Sequence, residues 1–193
     1  LRRGNATLNA KWSPAATILT GDFIFARAAK LAAETNSVEI MNLFASTLSV
    51  IVNGEITQMF TSKGLASRKD YFSRIYAKTA SLFELASIAP AYLTDSNNAD
   101  LEALQKFGYE IGIAFQIVDD ILDFTGTSKD VGKPVANDLR QGLITLPALC
   151  YIENNPNDPN IESAKTPSGR QNKEALERLI NSIRNSGAIN SAL

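Results

Sequence analysis

Apolar residues recur at three- and four-residue spacing over long stretches of this sequence, which is the period of an amphipathic helix. Strand-like alternation never persists for more than a few residues, and no repeat of fixed period occurs. Several periodic stretches reach about 20 residues, so the sequence predicts an all-α fold, a large helical bundle. The predicted helices span residues 14–33, 38–60, 67 or 70 to about 92, 99–124, 138–153 and 171–185.

Two stretches rich in helix-breaking residues separate the later helices. Residues 126–137 are rich in Gly, Lys and Pro and predict a loop. Residues 154–169 are polar and hold three of the seven prolines. We expect 154–169 to be a polar linker before the last helix, within a single helical domain formed by residues 1–193.

Composition excludes several classes of function. The 19 basic and 20 acidic residues nearly cancel, so no net field attracts nucleic acid or an anionic membrane surface. No stretch reaches the ~18 apolar residues of a membrane span, so we expect no transmembrane segment. The single cysteine, Cys150, fits a reducing compartment, either the cytoplasm or the soluble space of an organelle. The chain has no histidine, so any catalysis must use carboxylates, hydroxyls, Lys and Arg.

The helix predicted at 99–124 carries a narrow acidic face. At ~100° per residue, four polar residues fall within one arc of roughly 100°. They are Gln116, Asp119, Asp120 and Asp123. The opposite arc is apolar, so we expect it to be buried while the acidic arc lines a polar space. The apolar arc consists of Ile111, Ala114, Phe115, Ile117, Val118, Ile121 and Leu122.

The three aspartates of this face indicate a metal site. Carboxylates three and four residues apart repel each other and need a compensating cation when they are partly enclosed. Magnesium prefers hard oxygen ligands and commonly bridges one or two carboxylates to substrate phosphates. A solvated acidic patch is the alternative interpretation. Such a patch would mix in Lys, Arg or Glu, whereas the flanking turns here are apolar.

Basic residues near the acidic face could bind an anion. Lys78, followed by Thr79, lies within a helical stretch and either extends to the surface or binds an anion. Lys129 and Lys133 lie on the loop directly after the acidic helix, where an ammonium group could reach a phosphate.

Five motifs in order resemble the trans-polyprenyl diphosphate synthases, most closely the octaprenyl or solanesyl-like long-chain branch. They are GDFIFARA at 21–28, NGEITQM at 53–59, KTASLF at 78–83, GIAFQIVDDILDF at 112–124 and DVGKPVANDLRQGLITLPAL at 130–149. DDxxD alone is moderately specific, whereas DDILD followed by GKPxxxDL and GLxTLP is strongly so. The resemblance implies an isoprenoid-synthase-type bundle that condenses isopentenyl diphosphate with an allylic diphosphate. It also implies three Mg²⁺ ions with the diphosphate bound, and a homodimer.

The resemblance implies a role for each candidate residue. The metal-side carboxylates would be Asp119, Asp120 and Asp123, and the diphosphate contacts would be Arg2, Arg3, Lys78 and Lys133. Thr79 and Gln116 would lie near the reacting carbons, with their oxygens facing the allylic cation. Arg2 would contact the allylic diphosphate and Arg3 the isopentenyl diphosphate, because Arg-Arg-Gly follows the family's first aspartate-rich motif.

The chain departs from the family pattern in three ways. The first aspartate-rich motif and the helices before it are absent, and so are the helices expected after residue 193. We therefore expect a fragment, incomplete at both ends. Leu143 stands where many members carry Lys. A non-catalytic subunit of a heteromeric synthase and a terpene cyclase of the same fold stay open as alternatives. The intact DDILD and Lys78 argue against the subunit, and the Arg-Arg-Gly and GKP elements favour elongation over cyclisation.

Overall fold

The computed structural model of the protein describes residues 5–61, 67–126 and 135–193, and every regular element in these ranges is helical, as predicted. The α-helices are α1 (Leu8–Lys11), α2 (Pro14–Glu34), α3 (Val38–Thr61), α4 (Arg68–Ile75), α5 (Ser81–Ile88), α6 (Asn98–Thr125), α7 (Asn137–Gln141), α8 (Leu146–Asn154), α9 (Glu162–Lys165), α10 (Pro167–Gln171) and α11 (Lys173–Asn185). A π-helical segment spans Tyr76–Ala80, and 3-10 turns lie at Ala89–Leu93, Pro159–Ile161 and Asn190–Ala192.

Local capping signals set where the helices of the site begin. At α4, Ser67 and Asp70 form a capping box, in which each side chain accepts a hydrogen bond from the other residue's backbone N–H. Asn97 and Asp100 form the same arrangement at α6.

The structure confirms the predicted positions of α2, α3, α6 and α11 to within about two residues, which is the usual uncertainty of helix ends.

The helix predicted from 67 or 70 to about 92 is continuous but not regular. Its backbone stays helical from Arg68 to Leu93, with the π-helical segment Tyr76–Ala80 inserted between α4 and α5. A π-helical turn accommodates an additional residue, so it changes the direction of the side chains that it carries. Lys78 and Thr79 lie on this segment.

Two glycines on neighbouring helices allow close packing against the π-helical segment. A Cβ added at Gly54 in α3 would lie 2.6 Å from the Cβ of Ala77. A Cβ added at Gly112 in α6 would lie 2.5 Å from the Cα of Ala80. Because any larger residue would need more space, these glycines bring α3 and α6 against the segment from two sides.

The prediction of one helix over 138–153 is wrong. The chain forms α7, then turns at Gly142 with a φ of 88°, and resumes as α8. Glycine adopts this left-handed backbone conformation at little cost, so α7 ends there. Pro147 lies in the first turn of α8, where its missing N–H would have no helical partner in any case.

The hydrophobic core lies between α4, the C-terminal half of α6, α8 and α11. Its largest fully buried side chains are Tyr71, Phe124, Leu139, Pro147, Cys150, Leu179 and Ile183. Residues 154–169, expected as a polar linker, form short helical segments that bury Ile161 and Ala164 against this core. The segment therefore packs onto the domain.

The expected burial of the apolar arc of α6 is wrong for most of its residues. Phe115 is 56% exposed. Ile111, Val118 and Leu122 are exposed as well. The described neighbours of α6 pack mainly on its glycine side, at Gly108 and Gly112. Of the apolar arc, Ile121 lies in the core and Phe115 contacts Phe83. Helix α2 likewise buries none of its residues and exposes several large apolar side chains, including Phe23 and Ile24. Such continuous apolar surfaces are typical of faces that pack against another segment or chain.

Among the described residues, one stretch is long and apolar enough to cross a membrane. Val38–Met59 in α3 meets this test by length and composition alone, with a mean hydropathy of 1.2. Only 11% of this stretch is buried among the described residues, where α3 packs against α2, α5 and the π-helical segment. One such stretch is weak evidence for a membrane span.

Candidate metal and diphosphate site

A chain of hydrogen bonds links three of the predicted site residues. The Thr79 hydroxyl donates to Gln116 Oε1 at 2.7 Å. The Gln116 amide then donates to Asp120 Oδ1 at 2.9 Å, and lies 3.5 Å from Asp119 Oδ2. Tyr71, which sequence reasoning missed, donates its hydroxyl to Asp120 Oδ2 at 2.8 Å. The structure therefore joins α4, the π-helical segment and α6 through polar side chains at one place.

The helical period of α6 explains why Gln116 reaches both carboxylates. Residues three and four apart lie on the same face of a helix, so Asp119 and Asp120 lie one turn beyond Gln116. With its oxygen bound to Thr79, the amide must direct its N–H groups toward the carboxylates. The orientation of Gln116 is thus determined at both ends.

The three aspartates occupy different environments. Asp119 is exposed, whereas Asp120 is 3% exposed and accepts hydrogen bonds on both of its oxygens. Asp123 is 9% exposed, and its Oδ2 accepts from the backbone N–H of Asp138 at 3.1 Å. Its backbone carbonyl accepts from the N–H of Ala136 at 2.7 Å. Asp123 therefore connects the end of α6 to the start of α7, in addition to any role toward a ligand.

Burial dominates the electrostatics of Asp120. It raises the pKa of this carboxyl above its ordinary value, while the hydrogen bonds from Gln116 and Tyr71 act to lower it. Burial likewise raises the pKa of the Tyr71 phenol, and the Asp120 charge raises it further. The phenol is therefore a stable donor to the carboxylate.

Arg74 supplies a positive charge that acts on Asp120 from α4. Its guanidinium carbon lies 5.5 Å from the centre of the Tyr71 ring, and Nη2 donates to the carbonyl of Ile144 at 2.7 Å. Burial lowers the pKa of Arg74, and the charge of Asp120 opposes this effect. Sequence reasoning missed Arg74 and Tyr71. The sequence offers one weak signal for Tyr71, which is its separation of seven residues, or about two helical turns, from Lys78.

The structure places the basic candidates only in part. Lys78 is exposed on the π-helical segment, directly before Thr79. Arg2 and Arg3 lie outside the described residues. The same is true of Lys129 and Lys133.

The donor atoms suit a hard divalent cation. The carboxylate oxygens of Asp119 and Asp120 are the ligand type that magnesium prefers. Within residues 5–61, 67–126 and 135–193, however, no group of three or more His, Cys, Asp or Glu side chains could hold a metal ion. An ion bound here would complete its coordination with water and phosphate oxygens, which is how magnesium commonly binds beside a phosphorylated substrate.

The fold and site define a class of protein: a helical bundle in which a threonine, a glutamine and a buried aspartate are joined by hydrogen bonds between neighbouring helical segments. The sequence matches the Polyprenyl synthetase family over residues 1–183, so the chain belongs to that family. This result confirms the predicted relationship to the trans-polyprenyl diphosphate synthases.

Individual relatives support the same relationship. The chain is 41% identical over 150 residues to octaprenyl diphosphate synthase from Haemophilus influenzae, which covers 77% of this chain and 46% of the relative. It is 34% identical over 194 residues to solanesyl diphosphate synthase 2, chloroplastic, from Arabidopsis thaliana, which covers 100% of this chain and 45% of the relative. The chain thus spans about half the length of these relatives.

Solved structures confirm the fold. Heptaprenyl diphosphate synthase from Staphylococcus aureus superposes with a TM-score of 0.90 at 32% identity, covering 100% of this chain and 60% of that one. Polyprenyl synthase from Caulobacter crescentus, in complex with calcium and isoprenyl diphosphate, gives a TM-score of 0.87 at 36% identity. That match covers 100% of this chain and 59% of the other. The predicted isoprenoid-synthase-type bundle is therefore correct.

Proposed function

We propose that the full-length protein is a prenyltransferase that condenses isopentenyl diphosphate with an allylic diphosphate to make a longer trans-polyprenyl diphosphate. The observation that carries this proposal is the hydrogen-bonded chain from Thr79 through Gln116 to Asp120. It joins a hydroxyl, an amide and a carboxylate, and the hydroxyl belongs to the residue that follows Lys78 in the sequence. The names of the octaprenyl and solanesyl relatives support the same reaction.

The acidic residues hold divalent cations in this proposal. Asp119 and Asp120 present hard oxygen atoms, and Asp123 contributes from the end of α6, with three Mg²⁺ ions bound alongside the diphosphate. The calcium in the Caulobacter crescentus complex supports a divalent-cation site in the family. Magnesium, when bound, stabilises the negative charge that develops on the departing diphosphate. The side chains that donate to the two diphosphates are Arg2, Arg3, Lys78 and Lys133.

Thr79 and Gln116 face the reacting carbons. Because Thr79 gives its only proton to Gln116, both lone pairs of its oxygen remain as acceptors. An oxygen of this kind stabilises a nearby allylic cation electrostatically.

Proton removal needs no side-chain base in this scheme. The oxygens of the released diphosphate would themselves be the proton acceptor. The diphosphate accepts the proton that elimination releases, and Lys78 holds the diphosphate in place while it does so.

We also propose that the protein is a soluble homodimer. The exposed apolar side chains of α2, such as Phe23 and Ile24, have no covering residue in the described part of the chain. A second copy would bury them and add stability at about 25 cal/mol per Å² of apolar surface. The relative from Bacillus subtilis is named component 2 of a heptaprenyl diphosphate synthase, so a two-component assembly is the second candidate.

The test is incorporation of radiolabelled isopentenyl diphosphate by the full-length protein, with farnesyl or geranylgeranyl diphosphate as primer. We expect elongation that requires magnesium and is abolished by Asp119→Ala. The matched control is Glu102→Ala, which removes an exposed carboxylate from the other end of α6. Absence of incorporation with every primer would contradict the proposal. Activity that appears only after a second protein is added would favour the two-component assembly.

A further inference from the structure

We propose that Tyr71 is a positioning residue of the metal site, which fixes the carboxylate of Asp120 in the orientation that binds the cation. The inference rests on the proposed function, since it assigns a new residue to the same site. Tyr71 belongs to α4, seven residues before Lys78, and lies in none of the five motifs that identify the family.

Tyr71 and Gln116 hold Asp120 by both of its oxygens. The phenol donates to Oδ2 at 2.8 Å and the amide to Oδ1 at 2.9 Å, so the carboxylate cannot rotate without breaking a buried hydrogen bond. An ionised carboxylate has about four lone-pair positions, and these two bonds occupy one on each oxygen. The remaining positions therefore keep a fixed direction, which is what a ligand needs for a cation that demands near-ideal geometry.

Tyr71 is itself held rigidly. Its side chain is fully buried, and the ring of Phe72 packs edge-on at 5.3 Å between centroids. The Arg74 guanidinium lies over the ring at 5.5 Å and is anchored by its bond to the carbonyl of Ile144. The phenol therefore occupies one position, and the orientation of Asp120 is determined by the core.

The simpler interpretation is that the bond between Tyr71 and Asp120 only stabilises the core. The chain offers a matched control for it, because Tyr151 donates to Asp158 Oδ2 at 2.7 Å, and Asp158 is not part of the acidic face of α6. Tyr151 is also buried. Removing either hydroxyl costs one hydrogen bond to a carboxylate, so a merely structural role predicts the same outcome for both variants.

The experiment measures binding of Mg²⁺, in the presence of inorganic pyrophosphate, by isothermal titration calorimetry on the full-length protein. Tyr71→Phe should weaken cation binding by about 10- to 100-fold, the usual effect of losing a partner that orients a ligand. Tyr151→Phe should bind as the wild type does. In steady-state assays, Tyr71→Phe should require more magnesium for half-maximal rate, and saturating magnesium should restore kcat.

Each outcome decides the question. If Tyr71→Phe binds Mg²⁺ with wild-type affinity, or if both phenylalanine variants lose affinity equally, Tyr71 has no positioning role. If the wild type binds Mg²⁺ and pyrophosphate and Tyr71→Phe binds them more weakly, but no primer is elongated, the proposed function fails while the role of Tyr71 stands. If the wild type does not bind Mg²⁺ with pyrophosphate, both proposals fail. Circular dichroism confirms that each variant is folded.

Discussion

Replacement of Gly112 by alanine should separate α6 from the π-helical segment and so break the hydrogen bond between Thr79 and Gln116. The new Cβ would lie 2.5 Å from the Cα of Ala80 and 2.9 Å from its Cβ. Ordinary carbon–carbon contacts are about 3.5–4.0 Å, so the two backbones must move apart by about 1 Å. The atoms in conflict include backbone, so no side-chain rotation relieves the clash.

The size of the effect follows from this displacement. Overpacking a tight helix contact costs about 1–3 kcal/mol of the free energy of unfolding. A shift of about 1 Å would stretch the Thr79–Gln116 bond from 2.7 Å to a separation at which it no longer forms. A misplacement of that size can lower the rate about 100-fold, and we expect a loss of this order in kcat.

The assay combines urea denaturation with steady-state kinetics on Gly112→Ala and on a control, Gly21→Ala. Gly21 lies inside α2 with nothing within 4 Å of an added Cβ, so alanine there should raise helix stability slightly. Wild-type stability and wild-type kcat for Gly112→Ala would refute the reasoning. A loss of stability with unchanged kcat would show that the helix contact does not position Thr79.

Three further predictions concern single side chains. Asp123→Ala should lower the free energy of unfolding by about 1.5–3 kcal/mol, because the Asp138 N–H loses a charged acceptor; thermal denaturation measures this. Hydrogen bonds from Arg140 lower the pKa of Glu177 in the folded protein. The ionised carboxylate therefore stabilises the fold at pH values above its ordinary pKa of 4.5, and this contribution is lost as the pH falls through the lower pKa of the folded state. In denaturation at several pH values, Glu177→Gln should therefore cost up to about 1 kcal/mol at neutral pH and nothing in strong acid. Lys78→Ala should lower kcat/KM for the allylic diphosphate roughly 10- to 100-fold through the loss of one charge-assisted contact.

Each of these predictions has a control. Asp123→Asn keeps an oxygen acceptor and should retain most of the stability that alanine loses. Lys106→Ala removes an exposed lysine from the N-terminal half of α6 and should leave kcat/KM unchanged. A Glu177→Gln variant whose stability deficit persists at low pH would show that the ion pair with Arg140 is not the cause.

Sequence periodicity predicted the helices whose start signals are local, and it failed where tertiary contacts decide. The capping residues Ser67 and Asp70 lie within one turn, so sequence alone reveals the start of α4. The π-helical segment has no local signal in the sequence, and the residues that pack closely against it, Gly54 and Gly112, lie on other helices. The break at Gly142 within the helix predicted over 138–153 was missed for a related reason. Its positive φ is visible only once the chain turns between α7 and α8.

The site was predictable to the extent that it lies on one helix. Gln116, Asp119 and Asp120 share a face of α6 because of the helical period alone, and the structure keeps them together. Tyr71 and Arg74 reach the site only through the packing of α4 against α6, so a wheel drawn on α6 cannot include them. The helical wheel also predicted that the apolar arc of α6 is buried, whereas most of that arc is exposed. Amphipathic period defines two faces of a helix but does not tell which neighbour covers each face.

The burial of Asp120 implies that cation binding should stabilise the protein. A buried carboxylate pays a desolvation penalty that two neutral donors, Tyr71 and Gln116, offset only in part, since its pKa remains raised. A ligand that binds only the folded protein adds about 2.7 kcal/mol at one hundred times its dissociation constant. For a domain of 150–250 residues this corresponds to about 5–10 °C in Tm. Differential scanning fluorimetry with Mg²⁺ and inorganic pyrophosphate together should show this increase. Asp120→Asn should reduce the ligand-dependent increase, because the neutral amide loses the charge that attracts the cation. An equal increase in Tm for Asp120→Asn and the wild type would mean that the cation binds elsewhere.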